Sequence, residues 1–219
     1  PYEAGKMPMN FFLKFFQNHG LFKLRNRPQW FTVSQRSKTY VNKVLSKISG
    51  EYFKNYKIKS VKRISSGVQV YYGGNDEFFE YDKVVLATHA DETLALIENP
   101  TEEETKVLSN FNYRENFAVL HSDEKMMPKN KKAWSSWNSF VDPKDLNKSS
   151  LSYWLNLLEN LKIEKNIFLT LNPFREIPEE KIFKKIKFSH PYFDQKALDN
   201  QKNLQKIQNK QNLLFCLLQ

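Results

Sequence analysis

Apolar residues along this chain recur in two rhythms. Between residues 8 and 24, Phe11, Phe12, Phe15, Phe16 and Leu21 fall at helical spacing, and Asn18-His19-Gly20 reads as a helix stop. Arg27-Pro28-Gln29-Trp30 leads into a short extended piece, Phe31 to Val33. The spacing predicts a second helix over 38–48, with Tyr40, Val41, Val44, Leu45 and Ile48 on one face and Ser37 as its cap. Gly50 ends it. The period then drops to two. Tyr56 to Ile64, Val68 to Tyr72 and Glu77 to Tyr81 read as a three-stranded meander, with a turn at Gly73-Gly74-Asn75-Asp76. Asp82-Lys83 leads into Val84-Val85-Leu86-Ala87-Thr88, a continuous apolar run of the kind found in strands covered on both faces.

Glu92 to Ile97 starts a helix that Pro100 breaks, and 101–112 reads as a short acidic helix. Extended pieces follow at Asn116 to Ser122, Ala133 to Phe140, Ser150 to Asn156, Ile167 to Leu171 and Ile182 to Ser189. Several alternate and carry aromatics, which predicts a mostly antiparallel sheet. Asp194 is placed to cap a polar helix over 195–206, and Asn212 to Cys216 opens another buried strand. The overall class is mixed α/β and α+β. A strand such as 84–88 needs neighbours that the sequence supplies sparingly.

With 40% hydrophobic and 15% aromatic residues, the 219-residue chain carries enough apolar material for a core. Its net charge of +10 would suit a nucleic-acid or anionic-membrane surface, but the lysines are spread from Lys6 to Lys210, which reads as a solvated face. One cysteine, Cys216, excludes an internal disulfide and a cysteine-cluster metal site. No apolar run approaches the roughly 18 residues that span a bilayer, and no basic-then-apolar leader is visible. A cytoplasmic protein is expected, with peripheral membrane contact left open.

The candidate chemistry is sparse. No three of the six glycines have the spacing that cradles a pyrophosphate. His89-Ala90-Asp91 and His121-Ser122-Asp123 each pair histidine with aspartate two apart, which in a strand puts both on one face. That spacing suits a metal or a proton relay, and equally a strand-end histidine satisfied by backbone. No serine sits in a nucleophile elbow. Trp134, Trp137, Trp154, Tyr153 and Phe140 suit either an apolar substrate cavity or sheet-core packing.

The ordered set of segments resembles a bacterial group of NAD/FAD-binding proteins within the flavin-dependent amine oxidase and desaturase-like superfamily. The resemblance rests on Phe12-Leu13-Lys14-Phe15-Phe16-Gln17-Asn18-His19-Gly20-Leu21, Arg27-Pro28-Gln29-Trp30, Ser37-Lys38-Thr39-Tyr40-Val41 and Val84-Val85-Leu86-Ala87-Thr88-His89-Ala90-Asp91. It continues through Ala118-Val119-Leu120-His121-Ser122-Asp123, Ala133-Trp134-Ser135-Ser136-Trp137-Asn138, Tyr153-Trp154-Leu155-Asn156, Thr170-Leu171-Asn172-Pro173, Phe188-Ser189-His190-Pro191, Phe193-Asp194 and Phe215-Cys216. These pieces span nearly the whole chain.

The resemblance implies a fragment of a two-domain FAD-dependent amine oxidase fold. It implies a helical part of the substrate domain at 1–30 and part of a Rossmann-like FAD-binding domain at 31–100. An antiparallel-sheet substrate domain is implied at 101–192, and a return to the FAD domain at 193–219. By the same resemblance Val61 contacts the adenine through its backbone, and Ala87 and Thr88 end the strand that approaches the dinucleotide. No catalytic residue is assigned and no metal is implied. The reaction implied is hydride transfer from an organic small-molecule or lipid-like substrate to FAD, or a desaturation or isomerisation on that cofactor. Relatives carry a glycine pair where Gln35-Arg36 stand, and a glycine loop and a flavin-contact segment outside the matched pieces. The expectation is therefore an internal fragment that binds FAD poorly and is inactive alone. Two other readings stay open: a non-enzymatic basic binding module, and a non-functional gene fragment.

Overall fold

The computed structural model describes residues 7–74 and 77–217. Part of the expected turn at 73–76, namely Asn75 and Asp76, lies outside the described residues, as do Lys6, Leu218 and Gln219. The chain divides into two compact units. One comprises Pro1–Ser49 and Glu115–His190, the other Gly50–Arg114 and Pro191–Gln219.

The first unit begins with two helices, α1 (Met9–Asn18) and α2 (Ser37–Leu45). Gly20 ends α1 in the left-handed region, φ 64°, and the amide of Leu21 donates back to the carbonyl of Phe16 at 2.9 Å. A Cβ at this position would meet the Pro28 ring at 2.8 Å, so glycine is required twice over. Ser37 does not cap α2. It is the first helical residue, and Arg36 stands at the cap with no side-chain hydrogen bond. The helix ends at Leu45, short of the expected 48.

The sheet of the first unit has five strands in the order β6-β7-β8-β5-β9. These are β5 (Asn112–His121), β6 (Trp137–Asp142), β7 (Asp145–Trp154), β8 (Phe168–Leu171) and β9 (Ile182–Tyr192). The pairs β6–β7, β7–β8 and β5–β8 are antiparallel, as the alternation predicts. A short helix, α5 (Leu155–Leu158), takes residues 155 and 156 out of the expected strand. Strand β7 starts five residues before Ser150, through Asp145-Leu146-Asn147-Lys148-Ser149. That stretch is held by hairpin pairing with β6 and not by burial.

The second unit holds the antiparallel meander β1 (Ile58–Arg63), β2 (Val68–Tyr72) and β3 (Glu77–Tyr81). Gly67, in the turn between β1 and β2, lets the end of β3 approach closely, since a Cβ there would sit 2.3 Å from the Tyr81 carbonyl oxygen. Strand β4 (Val84–Leu86) pairs in parallel with β10 (Leu213–Phe215), 129 residues on in register from Val84 to Leu213. Helices α3 (Ala90–Leu96), α4 (Glu102–Leu108), α6 (Gln195–Gln201) and α7 (Leu204–Ile207) complete this unit. The expected single helix at 195–206 is thus two, and Asp194 caps the first by accepting the Ala197 amide at 2.9 Å. Val61, Leu86, Ala90, Ile97, Leu108, Ile207 and Leu213 share one core. The double coverage expected of 84–88 does not hold. Among the described residues β4 has one strand neighbour, its regular pairing stops at Leu86, and Val85 is 59% exposed.

Candidate functional site

The three residues implied as cofactor contacts all lie in the second unit. Val61 is fully buried in the core, and its carbonyl accepts the Glu98 amide at 2.9 Å beside a parallel bridge to Ile97. Ala87 and Thr88 follow β4 at its carboxyl end, the position at which open parallel sheets receive ligands. Ala87 is exposed. Thr88 is half-buried, and its hydroxyl lies 2.7 Å from that of Thr93.

The chain's own residues do not fit a pyrophosphate at this place. The turn from β4 into α3 contains no glycine. The first turn of α3 is already satisfied, because Glu92 and His89 form a capping box and the Ala90 amide donates to the Tyr113 hydroxyl at 2.7 Å. Asp91 and Glu92 add negative charge where a phosphate would approach. Burial pushes the Tyr113 phenol up, against the lowering effect of that amide, so it remains a neutral hydroxyl. His89 stacks on the Tyr113 ring at 4.2 Å, and His89 and Asp91 are thereby used as helix-start residues.

The second histidine–aspartate pair lies in the five-stranded sheet. The register puts Val119, Thr170, Ser152 and Asn138 in one row across four strands, with His121 and Phe168 in the next row on the same face. His121 is fully buried. Its Nδ1 accepts the Asp123 amide at 3.0 Å, which leaves the Nε2–H to donate to Thr170 Oγ1 at 2.7 Å. Thr170 Oγ1 in turn lies 2.8 Å from Ser152 Oγ. Burial holds the His121 imidazole down at about 4, only partly opposed by the nearby Asp123 carboxylate, so the ring is neutral near pH 7. Burial alone would push Asp123 up. The hydrogen bond from Lys181 at 2.7 Å and the Lys125 amide outweigh it and hold the carboxyl below its ordinary value. The pair is therefore a satisfied structural network. The Ser152–Thr170 hydroxyls and Lys181 escaped sequence reasoning. Only the alternation Ser150-Leu151-Ser152-Tyr153 hinted that two serines share a face.

The opposite face of this sheet is apolar. Leu120, Leu169, Tyr153 and Trp137 form one row, and Ala118, Leu171, Leu151 and Ser139 the next. Trp137 packs edge-on against Tyr153 at 5.7 Å and is 56% exposed. The other tryptophans do different work. Trp134 packs edge-on against Trp154 at 5.2 Å and Phe168 at 5.6 Å, as sheet-core packing predicts. A groove of about 940 Å³ is lined by Phe117, Val119, Ser150, Leu151, Leu171 and Phe174 among others. The Ser150 hydroxyl is buried there without a protein partner. Asn116, Asp142, Asn147, Lys148 and Asn172 also line this groove, so it is a mixed polar and apolar surface, and the mainly apolar part is the pair of central rows on the sheet face. Among the described residues no cluster of three metal-ligating side chains occurs.

No protein-family profile matches the chain, and no curated protein does. Solved structures do match. A CLA-producing fatty acid isomerase from P. acnes aligns over 82% of this chain at 12% identity, with a TM-score of 0.56. A putrescine oxidase bound to putrescine aligns over 84% at 10% identity, with a TM-score of 0.54. The fold is thus part of the fold these enzymes share. The chain spans 46% of the isomerase and 47% of the oxidase, about half of each. No helix among the described residues is long and apolar enough to cross a membrane.

Proposed function

We propose that this chain is part of an FAD-dependent oxidoreductase of the amine oxidase type, and that the whole enzyme oxidises, desaturates or isomerises an organic substrate. The observation that carries this reading is the fold likeness to an oxidase and an isomerase over more than four-fifths of the chain. FAD would supply the hydride-accepting centre. Among the described residues there is no pyrophosphate cradle, so the chain by itself is expected to hold FAD weakly, and no step of the chemistry is assigned to its side chains. Ala87 and Thr88 at the end of β4, and Val61 in β1, are proposed to border the dinucleotide once the rest of the fold is present.

The substrate is proposed to lie against the leucine–aromatic face of the five-stranded sheet. Its two central rows hold no carboxylate, lysine or arginine, which suits an apolar molecule better than a diamine. Joining residues 1–219 to the remaining segments of the putrescine oxidase gives a chimera in which this can be checked. Anaerobic mixing with an unsaturated or long-chain substrate is expected to bleach the flavin, and Leu171→Asp to abolish bleaching while flavin stays bound. Bleaching by putrescine alone, unaffected by Leu171→Asp, would overturn the assignment of this face.

A further inference from the structure

We infer that residues 7–49 form a docking surface for an anionic phospholipid bilayer. Two independent features of this stretch converge. The first is charge. It contains Lys14, Lys23, Arg25, Arg27, Arg36, Lys38, Lys43 and Lys47, and not one aspartate or glutamate. Less than a quarter of the chain therefore holds eight of its ten net positive charges. The lysines elsewhere are nearly balanced by carboxylates, so the basic character is local and not the dispersed solvated face that the sequence suggested. Among the described residues none of these eight cations is engaged in an ion pair, whereas Arg63, Lys131, Lys181, Lys185, Lys187 and Lys210 are.

The second feature is exposed apolar surface. Gly20 is the one buried residue among those described in 7–49. Leu24 and Phe31 are 90% and 89% exposed, and Met9, Phe22 and Trp30 are more than half exposed. The aromatics order one another. Phe12, Phe16 and Phe22 form a chain of ring contacts at 4.2 and 5.4 Å, while Phe15, His19 and Trp30 form another at 4.0 and 5.9 Å. Bulky apolar groups interleaved with unpaired cations suit the bilayer interface. Rings and aliphatic tips enter the headgroup–acyl boundary, and the cations meet anionic headgroups. A nucleic acid would leave Leu24, Phe22 and Met9 without an apolar partner. A second copy of the chain would set eight cations against eight. The inference does not depend on the flavoenzyme reading, and either can fail alone.

Sedimentation of the whole chain with vesicles tests it. Vesicles with about one-third phosphatidylserine in phosphatidylcholine are expected to bind at least about ten-fold more protein than pure phosphatidylcholine, and added salt to release it. Lipid is expected to shift the emission blue, and Trp30→Phe to remove that shift. The triple substitution Lys23→Glu, Arg25→Glu, Arg27→Glu should lower binding at least about ten-fold. A control of equal charge at exposed loop positions, Lys129→Glu, Lys144→Glu, Lys162→Glu, should leave it within about two-fold. No preference of the native chain for anionic vesicles would overturn the inference, and so would equal loss in the two triple variants. Formation of a stable dimer that ignores vesicles would overturn it in favour of a second copy. Should the first triple variant fail to fold, unchanged emission of the native chain on anionic vesicles is still decisive against it.

Discussion

His121 Nε2 lies 2.7 Å from Thr170 Oγ1, and the hydrogen bond joins two strands through side chains that are both fully buried. The Asp123 amide, donating to Nδ1 at 3.0 Å, fixes the tautomer and makes the neutral imidazole a donor to Thr170. Its held-down value of about 4 has a direct consequence. Above about pH 6.5, the ordinary value, folded and unfolded chains carry the same ring charge. Between about 6.5 and 4 the unfolded chain takes up a proton that the folded one refuses, so stability falls across that window and levels below it. The loss is expected to be roughly 2 kcal/mol, reduced from the full shift for solvent screening. Urea unfolding at pH 7.5, 5.5 and 4.5 measures it. His121→Gln should flatten this part of the profile.

Asp123 and Lys181 should behave as a coupled pair. Lys181→Met leaves a buried carboxylate with backbone donors only, at a cost of about 2 kcal/mol, since the lysine end is partly solvated. Asp123→Asn with Lys181→Met should cost less than the two single changes added together. A double-mutant cycle by urea denaturation gives the coupling directly.

Glu104 is asked to do two things at once. It closes the capping box of α4 with Thr101, and it pairs with Arg63 of β1 in the interior of the second unit. Glu104→Ala is expected to cost about 3 kcal/mol or more, because it strands the Arg63 guanidinium. Thr101→Ala removes one cap hydrogen bond and should cost about 1 kcal/mol. Thermal unfolding should rank them in that order.

Gln35 and Arg36 hold φ of 60° and 70°, and Arg36 has ψ of −171°, a region used almost only by glycine. These are the positions at which the resembling family carries a glycine pair. Replacing an exposed arginine by glycine normally destabilises. Here Arg36→Gly should stabilise by roughly 1 kcal/mol, the relief of strain exceeding glycine's extra freedom when unfolded. A rise in melting temperature checks the sign.

Much of the fold was legible because the signals were local. The meander 58–81 follows from period-two alternation and the glycine pair at Gly73-Gly74, and α1 from apolar spacing with a glycine stop. The start of β7 was not legible, because Asp145 to Ser149 reads as a polar loop and becomes strand only by pairing with β6. The exposure of Val85 was not legible either. An apolar run states what a strand would bury, not whether neighbours exist to bury it. The polar pairs Arg63–Glu104 and His121–Thr170 lie 41 and 49 residues apart, and no spacing rule encodes such contacts. The Gln35-Arg36 strain was foreshadowed only by the resemblance.

The flavoenzyme reading is tested most directly by the visible absorption spectrum of the chimera that joins residues 1–219 to the glycine-loop and closing segments of a relative. A soluble, yellow protein with a resolved flavin band that survives gel filtration is expected. Ala87→Trp, on an exposed position at the end of β4, should lower flavin occupancy at least about ten-fold while leaving the melting temperature nearly unchanged. A folded, colourless chimera would contradict the assignment of this chain to an FAD-dependent oxidoreductase.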